Sequence, residues 1–540
     1  MRSKLKISLV ILAFACLLIS CNKSNDLGKM VPSNASFLVH LDGKSFTSKL
    51  SWEEIKSSEW FKKASADTSI KDWMKKILDN PENSGINMKG DLVMFLLQGE
   101  GGANTFILEG DVKDATAFES FNKNIADNAP VTKDGDISSV TIRQEAVGAW
   151  NSKKFVYAFA ANNSTQNLFD TTGYAAPAGA DMQKLSRLSK GMFTLKSDSS
   201  LAKNERFTAM LNEEGDIHMW QNTEAMLKNN AAMRMLGMFK IDAFIKGNVS
   251  TATVNFENGA IRGKQKMYGS PELIDVLKKY GGGEINTTMI SNIPSKNIAG
   301  ILSIHFKPEG LKEFIKLTGL DGMINMAMSQ FNISIDDFVG ANKGDIMLSV
   351  SDISVAPGNE NNSNANVLFS VAIGDSARFN KLLNAGAKLG GQMKNDTSIY
   401  FTKNDKFFVI GNNQTAVNTY NAGGNSSFPF LDKIKGHPIA LYIDLNRIIN
   451  SFAVRPSIDS SDKILLQESA KMWQDVYVTG GDIKKDAFET TGEINLVDKS
   501  TNSLKQLSRY FDRMAPAMEE KHKRKKAAYD NYNTDSTVTF

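Results

Sequence analysis

Cysteine is almost absent from this 540-residue sequence, which contains only Cys16 and Cys21. Everything after Cys21 therefore has no thiol for a disulfide, a cysteine–metal cluster or a thiol nucleophile. Histidine is also scarce, and none of the five histidines stands in the His-x-x-x-His or His-Glu-x-x-His spacing of a zinc-binding helix. We expect neither a metal nor another cofactor.

The sequence also has no large excess of positive or negative charge. Lysine and arginine number 63 and aspartate and glutamate 59, which gives a formal net charge of +4. Loss of Arg2, Lys4 and Lys6 with an N-terminal signal lowers this charge to about +1. A nearly neutral protein without a basic face does not fit nucleic-acid binding, so we expect no nucleic-acid partner.

A long hydrophobic run is absent, but a short one begins the chain. Three basic residues precede an apolar run from Ile7 to Ile19, and Ser20 and Cys21 follow it. The run is shorter than the roughly 20 residues of a membrane-spanning helix, and its layout is that of a lipoprotein signal. We predict a signal peptide at residues 1–20, lipidation of Cys21 and a tether over residues 21–29. An ordinary secretory signal is the alternative.

No catalytic motif is complete. Ser200 and Lys203 match the Ser-x-x-Lys pattern of penicillin-recognising enzymes, but the companion Ser-Asp-Asn and Lys-Thr-Gly motifs are absent. The chain also lacks a Gly-x-Ser-x-Gly elbow, a Walker loop and a dinucleotide-binding glycine fingerprint. We therefore expect a protein that is not an enzyme, and we assign no catalytic residue.

The second half of the chain repeats motifs of the first half in the same order. Lys-Gly-Asp followed by an apolar run occurs at residues 89–96 and again at 343–350. An earlier strand ends in His40 in one copy and in His305 in the other. Such self-similarity indicates an internal duplication. The two histidines could share a site if the copies faced each other, but the simpler interpretation is that each bonds a nearby carbonyl.

Helix and hairpin signals support the same repeat. Asp114 and Asp375 each follow a predicted strand and suit the N-cap of a helix. The Asn258-Gly259 dipeptide is a strong hairpin signal. Ser270 and the proline after it predict the start of the helix that ends the first copy.

These patterns predict an α+β fold with two tandem related lobes. A run of three glycines at 281–283 marks the boundary. We place the first lobe at 30–283, the second at 284–512, and a charged, partly disordered tail at 513–540. Alternation of apolar and polar residues in the strands favours antiparallel sheets, each with one face covered by helices.

Methionine and tryptophan supply the candidate ligand-binding residues. Met235 and Met238 belong to one cluster on a predicted helix, and a second cluster runs from 323 to 328. Methionines at this spacing can pack in a core, line an apolar groove or hold Cu(I). Trp52 and Trp60 lie on an amphipathic helix, where they either line a ligand pocket or anchor the helix to a sheet.

The chain resembles an uncharacterised family of large lipoproteins from Bacteroidota-type Gram-negative bacteria, known only as a domain of unknown function. The resemblance rests on the signal ending in Cys21, the Val31-Pro-Ser-Asn-Ala35 opening and the Lys89-Gly-Asp91 turn. It implies an envelope lipoprotein and no active site. Asn22 after the lipidated cysteine favours the outer membrane, and the weak match to a surface-export signal favours its periplasmic side.

The sequence thus favours a non-catalytic envelope lipoprotein that binds an envelope protein, a lipid or another apolar ligand through a two-lobe surface. A structural or assembly scaffold without a ligand is one alternative. A hydrolase of envelope polymers is another, because paired carboxylates can cleave glycosides without a sequence motif.

Overall fold

The chain folds into two compact units. The computed structural model describes residues 26–65, 71–99, 104–161, 181–228, 245–355, 363–390, 399–424, 426–454 and 458–535. The first unit comprises Met1–Ser45 and Asp72–Asn229, and the second comprises Phe46–Lys71 and Asn230–Phe540. This division by contacts differs from the division by sequence repeat, and the lobes at 30–283 and 284–512 stay a prediction.

The first unit is built on an antiparallel sheet with the strand order β8–β1–β2–β3–β7–β6–β5–β4. Its strands are β1 (Phe37–Asp42), β2 (Asp91–Gln98), β3 (Asn104–Asp111), β4 (Thr132–Asp134), β5 (Ile137–Ile142), β6 (Ala146–Trp150), β7 (Lys154–Ala161) and β8 (Ile217–Asn222). Its described helices are α4 (Asp72–Asp79), α5 (Ala115–Ile125), α6 (Met182–Gly191), α7 (Glu205–Leu211) and α8 (Thr223–Lys228). Helix α1 (Gly43–Lys49) spans the point where the chain passes to the second unit.

The second unit has a longer antiparallel sheet with the order β9–β10–β18–β17–β16–β11–β12–β13–β15–β14. Its strands are β9 (Val249–Glu257), β10 (Ala260–Tyr268), β11 (Ile298–His305), β12 (Asn342–Val355), β13 (Ser363–Ile373), β14 (Tyr400–Lys403), β15 (Phe407–Gly411), β16 (Ile439–Ile443), β17 (Trp473–Lys484) and β18 (Ala487–Leu496).

The helices of the second unit fall into three groups along the chain. The early ones are α2 (Trp52–Ser57), α3 (Glu59–Ser65), α9 (Pro271–Tyr280) and α10 (Thr287–Ser291). The middle ones are α11 (Pro308–Thr318), α12 (Asp321–Ser329), α13 (Ile335–Ala341), α14 (Ser376–Gly390), α15 (Gln414–Ala422) and α16 (Leu431–Ile434). The late ones are α17 (Leu445–Ala453), α18 (Ser460–Met472) and α19 (Ser503–Asp535).

Five strands of each sheet follow the same order, β8–β1–β2–β3–β7 in the first unit and β16–β11–β12–β13–β15 in the second. Both sheets are antiparallel and carry helices, so the predicted α+β class is confirmed. The shared strand order agrees with the repeated motifs of the sequence.

Several local predictions are confirmed in detail. The Asp114 carboxylate caps helix α5 by accepting hydrogen bonds from the backbone N–H groups of Thr116 and Ala117. Ser270 caps α9, with proline as the first helical residue. Gly259, in the turn between β9 and β10, has a φ of +68°, and a Cβ there would meet the Lys499 backbone at 2.5 Å, so the turn requires glycine.

Each unit has its own hydrophobic core. In the first unit, Phe118 of α5 packs with Trp150, Phe155 and Tyr157 of the sheet. In the second, helices α10, α15 and α16 pack on one sheet face, and Tyr420 and Met289 are among the fully buried residues there. Helix α19 continues to Asp535, into the polar stretch from 529 for which composition predicts disorder.

None of the described helices is both long enough and apolar enough to span a membrane.

Candidate functional site

One row of apolar residues crosses the whole sheet of the second unit. Directly paired residues of an antiparallel sheet point to the same face, and the registers connect one residue from each of the ten strands. In sheet order from β14 to β9, the row is Phe401, Ile410, Phe369, Leu348, Leu302, Leu441, Val478, Gly492, Gly263 and Val254. We call this set the apolar row. It contains no polar side chain.

The apolar row is exposed to solvent over the strands from β11 to β14. Leu302, Leu348 and Phe369 are exposed by 36 to 39%, and Phe401 at the β14 end by 67%. Four large apolar side chains exposed on neighbouring strands form a continuous patch, and such a patch marks a binding surface more often than scattered exposed residues do.

The helix-covered face of β11, β12 and β13 buries serines beside Ile301, Met347 and Leu368, and the opposite face exposes large apolar residues as well. Ser303, Ser349 and Ser370 lie on the helix-covered face and are at most 1% exposed. Leu348 and Phe369, which alternate with these serines along the strands, point to the open face. The predicted covered face is present, and the other face of these strands carries exposed apolar residues.

Several helices contact the strands that carry the row. Helix α17 contacts β11, β12 and β17, and α11 and α13 contact β12. Phe408, on the same face two residues from Ile410, packs with Phe379 of α14. Helix α14 thus packs on the row face beside β15.

Gly263 and Gly492 stand opposite each other in this row. A Cβ on Gly263 would meet only the Thr253 carbonyl oxygen at 3.6 Å, and a Cβ on Gly492 would meet nothing nearer than 3.9 Å. The described packing therefore does not require glycine at either position.

A polar groove lies on the other face of β9, β10, β18 and β17. It has a volume of about 450 Å³. Its lining side chains are Thr253, Asn255, Glu257, Arg262, Lys264, Lys433, Tyr477, Thr479, Thr491 and Glu493. We call this the polar groove.

Ion pairs organise the polar groove. Arg262 contacts Glu257 at 2.5 Å and Glu493 at 3.0 Å. Lys433 lies 3.3 Å from Glu493 and 4.4 Å above the ring of Tyr477. Burial acts to raise the pKa of Glu493, but the hydrogen bonds from Arg262 and Asn495 and the charges of Lys433 and Arg262 together outweigh it, and the pKa is lowered. A glycosidase acid needs the opposite shift, so this carboxylate is suited to ion pairing.

Histidines of the central strands meet carboxylates, and one of these histidines, His40, is buried. His40 Nε2 lies 3.0 Å from Asp91 Oδ1, and His305 Nδ1 lies 2.7 Å from Asp345 Oδ1. Both aspartates belong to the repeated Lys-Gly-Asp motifs, so the repeat brings the same pair together twice. The expectation that these histidines bond carbonyls is wrong, because a carboxylate at the start of the neighbouring strand takes that place.

The first unit adds a second histidine to this pair. His218 Nδ1 lies 3.1 Å from His40 Nδ1, and His218 Nε2 lies 3.0 Å from the Glu213 carbonyl oxygen. Burial lowers the pKa of His218. Within the described residues, no group of three or more His, Cys, Asp or Glu side chains is arranged to hold a metal ion.

The structure places the predicted tryptophans in a helix contact. Trp52 of α2 and Trp60 of α3 both pack edge-on against Phe61, with ring centroids 5.2 and 5.8 Å away. The Trp60 backbone N–H donates to the Asp512 carboxylate of α19 at 3.0 Å. The ring contact of Trp52 joins α2 to α3, and the Trp60 hydrogen bond joins α3 to α19. Ligand binding by Trp52 and Trp60 stays a prediction.

The structure tests the methionine interpretation for only one of the two clusters. Met235 and Met238 lie outside the described residues, as does Cys21. In the second cluster, Met323 is 50% and Met326 66% exposed on α12. Core packing is therefore the wrong interpretation for these two residues, because their helix has no buried residue.

Sequence reasoning missed the apolar row. The available signal was the alternation of serine with larger apolar residues, as in Leu348-Ser-Val-Ser351 and Phe369-Ser-Val371. That alternation shows that the two faces differ, but it favours burial of the larger residues. Only the contacts of the helices identify the covered face.

Comparisons with known proteins give little further information. No family model and no curated protein matches the sequence. Two solved structures, crystal forms I and IV of TP0453, are 12% identical and each cover 44% of this chain. Their TM-scores are 0.23 and 0.25, and the matches span 77% and 79% of those chains.

Proposed function

We propose that this protein is a non-catalytic lipoprotein, anchored through Cys21 to the periplasmic side of the outer membrane, that binds an apolar ligand such as a lipid acyl chain. The ligand lies on the apolar row of the second unit. Membrane anchoring is supported by the signal sequence, and ligand binding by the open sheet face.

The exposure of large apolar side chains on neighbouring strands is the observation that carries the proposal. Burying a large aliphatic side chain stabilises a protein by about 1.5–3 kcal/mol. The sheet face that leaves Leu302, Leu348 and Phe369 exposed by 36 to 39% forgoes part of that stabilisation. An apolar ligand on the open face recovers it upon binding.

The absence of charge in the apolar row defines the ligand further. Neighbouring strands lie about 4.8 Å apart, so the six strands from β14 to β16 give an uncharged path of about 24 Å. Flanking rows on the same face continue the pattern with Ile346 opposite Ile304 and Val350 opposite Gly300. A flexible hydrocarbon can follow such a path without leaving a polar group unsatisfied.

Native mass spectrometry tests the proposal. The mature chain with Cys21→Ser, exported to a bacterial periplasm and purified without detergent, should carry a discrete added mass that is lost on denaturation. Leu348→Glu should abolish this mass, because a carboxylate in the centre of the row cannot be desolvated by a hydrocarbon. Met326→Glu, at another exposed apolar position of the same unit, is the control and should retain it.

The scaffold alternative makes a different prediction. A protein with no ligand would give the apo mass in every variant, even after incubation with a fatty acid. That result would exclude the proposed function and direct the search to a protein partner of exposed residues such as Met323 and Met326.

A further inference from the structure

The polar groove has a lining that the apolar-ligand proposal does not use. Two neighbouring rows of side chains form its floor, one with Thr253, Lys264, Thr491 and Thr479 and the other with Asn255, Arg262, Glu493 and Tyr477. Hydroxyl, amide, guanidinium and carboxylate groups thus alternate at spacings of about 4.8 Å across the strands. A ligand there meets donors and acceptors together.

The charges of the groove cancel locally. Arg262 is held between Glu257 and Glu493, Lys433 shares Glu493, and Lys264 lies 3.5 Å from Glu489. A polyanion would gain attraction from the cations and lose it to the carboxylates, and a polycation would meet the reverse. The groove therefore suits a ligand that is polar but uncharged.

Two further hydroxyls line the groove, those of Thr253 and Tyr477. Thr253 is only 5% exposed, and Tyr477 is half-buried beneath Lys433, whose ammonium lies over its ring. Neither hydroxyl is among the described buried polar atoms that lack a partner. Both lie where a ligand in the groove can form hydrogen bonds with them.

We infer that the polar groove binds a short neutral oligosaccharide. A saccharide carries closely spaced hydroxyls that donate and accept at once, and its sugar rings are comparable in length to the spacing between strands. The volume of about 450 Å³ lies within the usual range of small-molecule sites. Because Arg262 is fixed by two carboxylates, its remaining N–H groups are oriented before a ligand arrives.

Isothermal titration calorimetry on the mature Cys21→Ser protein tests this inference, with maltotriose and N-acetylchitotriose as probes. We expect saturable binding of at least one probe. Tyr477→Phe and Thr253→Val each remove one hydroxyl with little change in shape and should weaken that binding about fivefold. Thr490→Val lies on the opposite face of β18 and is the matched control, with unchanged affinity expected.

Two experimental results would contradict saccharide binding in the polar groove. The absence of saturable heat from both trisaccharides would overturn the inference. Binding that is equally tight in Tyr477→Phe, Thr253→Val and the control would overturn it too, because the sugar would then lie elsewhere. Leu348→Glu should leave saccharide affinity unchanged, so this result is independent of the apolar row, and far-ultraviolet circular dichroism confirms that each variant is folded.

Discussion

The two units share a strand order but bury different side chains on one face of their sheets. In the first unit, β2 buries Val93, Phe95 and Leu97, whereas the corresponding residues of β12 in the second unit are Met347, Ser349 and Ser351. The opposite face is similar in the two units, because Met94 is 44% and Leu348 39% exposed at corresponding positions. The shared strand order therefore goes with the same pattern of exposure, whereas the buried side chains differ.

The two units also differ at one buried position of the next strand, β3 in the first unit and β13 in the second. Glu109 of β3 pairs in register with Val93, and Ser370 of β13 pairs with Met347. Ser370 has a partner in the Tyr420 hydroxyl at 3.1 Å, while Glu109 Oε2 has none in the described structure. Three measurements would test how far this contrast extends.

The largest expected effect is a difference in stability between the alanine variants of two phenylalanines, one buried and one exposed. Phe118→Ala removes a fully buried ring and should lower the free energy of unfolding by about 3–5 kcal/mol. Phe369→Ala should lower it by less than about 1.5 kcal/mol, because its ring is already partly in water. Urea denaturation of both variants measures the difference. Equal losses would show that the open face of the second unit is covered in solution.

The second effect depends on pH. Burial raises the pKa of Glu109 from 4.5 to about 8, against the lowering influence of Lys154. Between these two values the unfolded chain has lost the proton and the folded chain retains it. Unfolding therefore releases a proton, and stability should fall as the pH rises from 4.5 to 8.

Glu109→Gln provides the control for this pH effect. The amide has no charged form, so the variant should lose this part of the pH dependence and exceed the wild type in melting temperature at pH 8. Melting temperatures of both proteins, measured from pH 5 to pH 8.5, test this expectation. If the melting temperatures of the two proteins changed with pH in parallel, Glu109 would not be the origin of the pH dependence.

The smallest expected effect is the change in stability when either of two strand glycines is replaced by valine. Gly492→Val adds a side chain where the nearest atoms are 3.9 Å away and should raise the free energy of unfolding by up to about 1 kcal/mol. Gly148→Val in the first unit should lower it, because a Cβ there would lie 2.8 Å from the Tyr157 ring. Thermal melts that shift in the same direction for both variants would show that Gly492 also has a packing role.

Local features of the fold could be predicted from the sequence. The caps at Asp114 and Ser270, the Asn258-Gly259 turn and the pairing of repeated motifs depend on residues close in the chain or on direct self-comparison. The α+β class followed from these elements. Each of these signals has a local physical cause.

The candidate sites could not be predicted in the same way. Gly263 and Gly492 face each other only because β10 pairs with β18, and the polar groove depends on the same long-range pairing. No local propensity encodes that register. The exposure of Leu348 was also hidden, because the preference for burying leucine is stronger than the weak signal from its serine neighbours.

The pairing of β10 with β18 has a consequence for the order of folding. The nine residue pairs from Ala260 with Asn495 to Tyr268 with Ala487 join segments that are synthesised far apart in time. Pairing over such a separation is slow, because a long loop must close first. Until residues 487–496 emerge, strand β10 keeps one edge of unpaired backbone groups. A nascent chain at that stage is open to pairing with other chains, and this interval is where we expect chaperone protection to matter most.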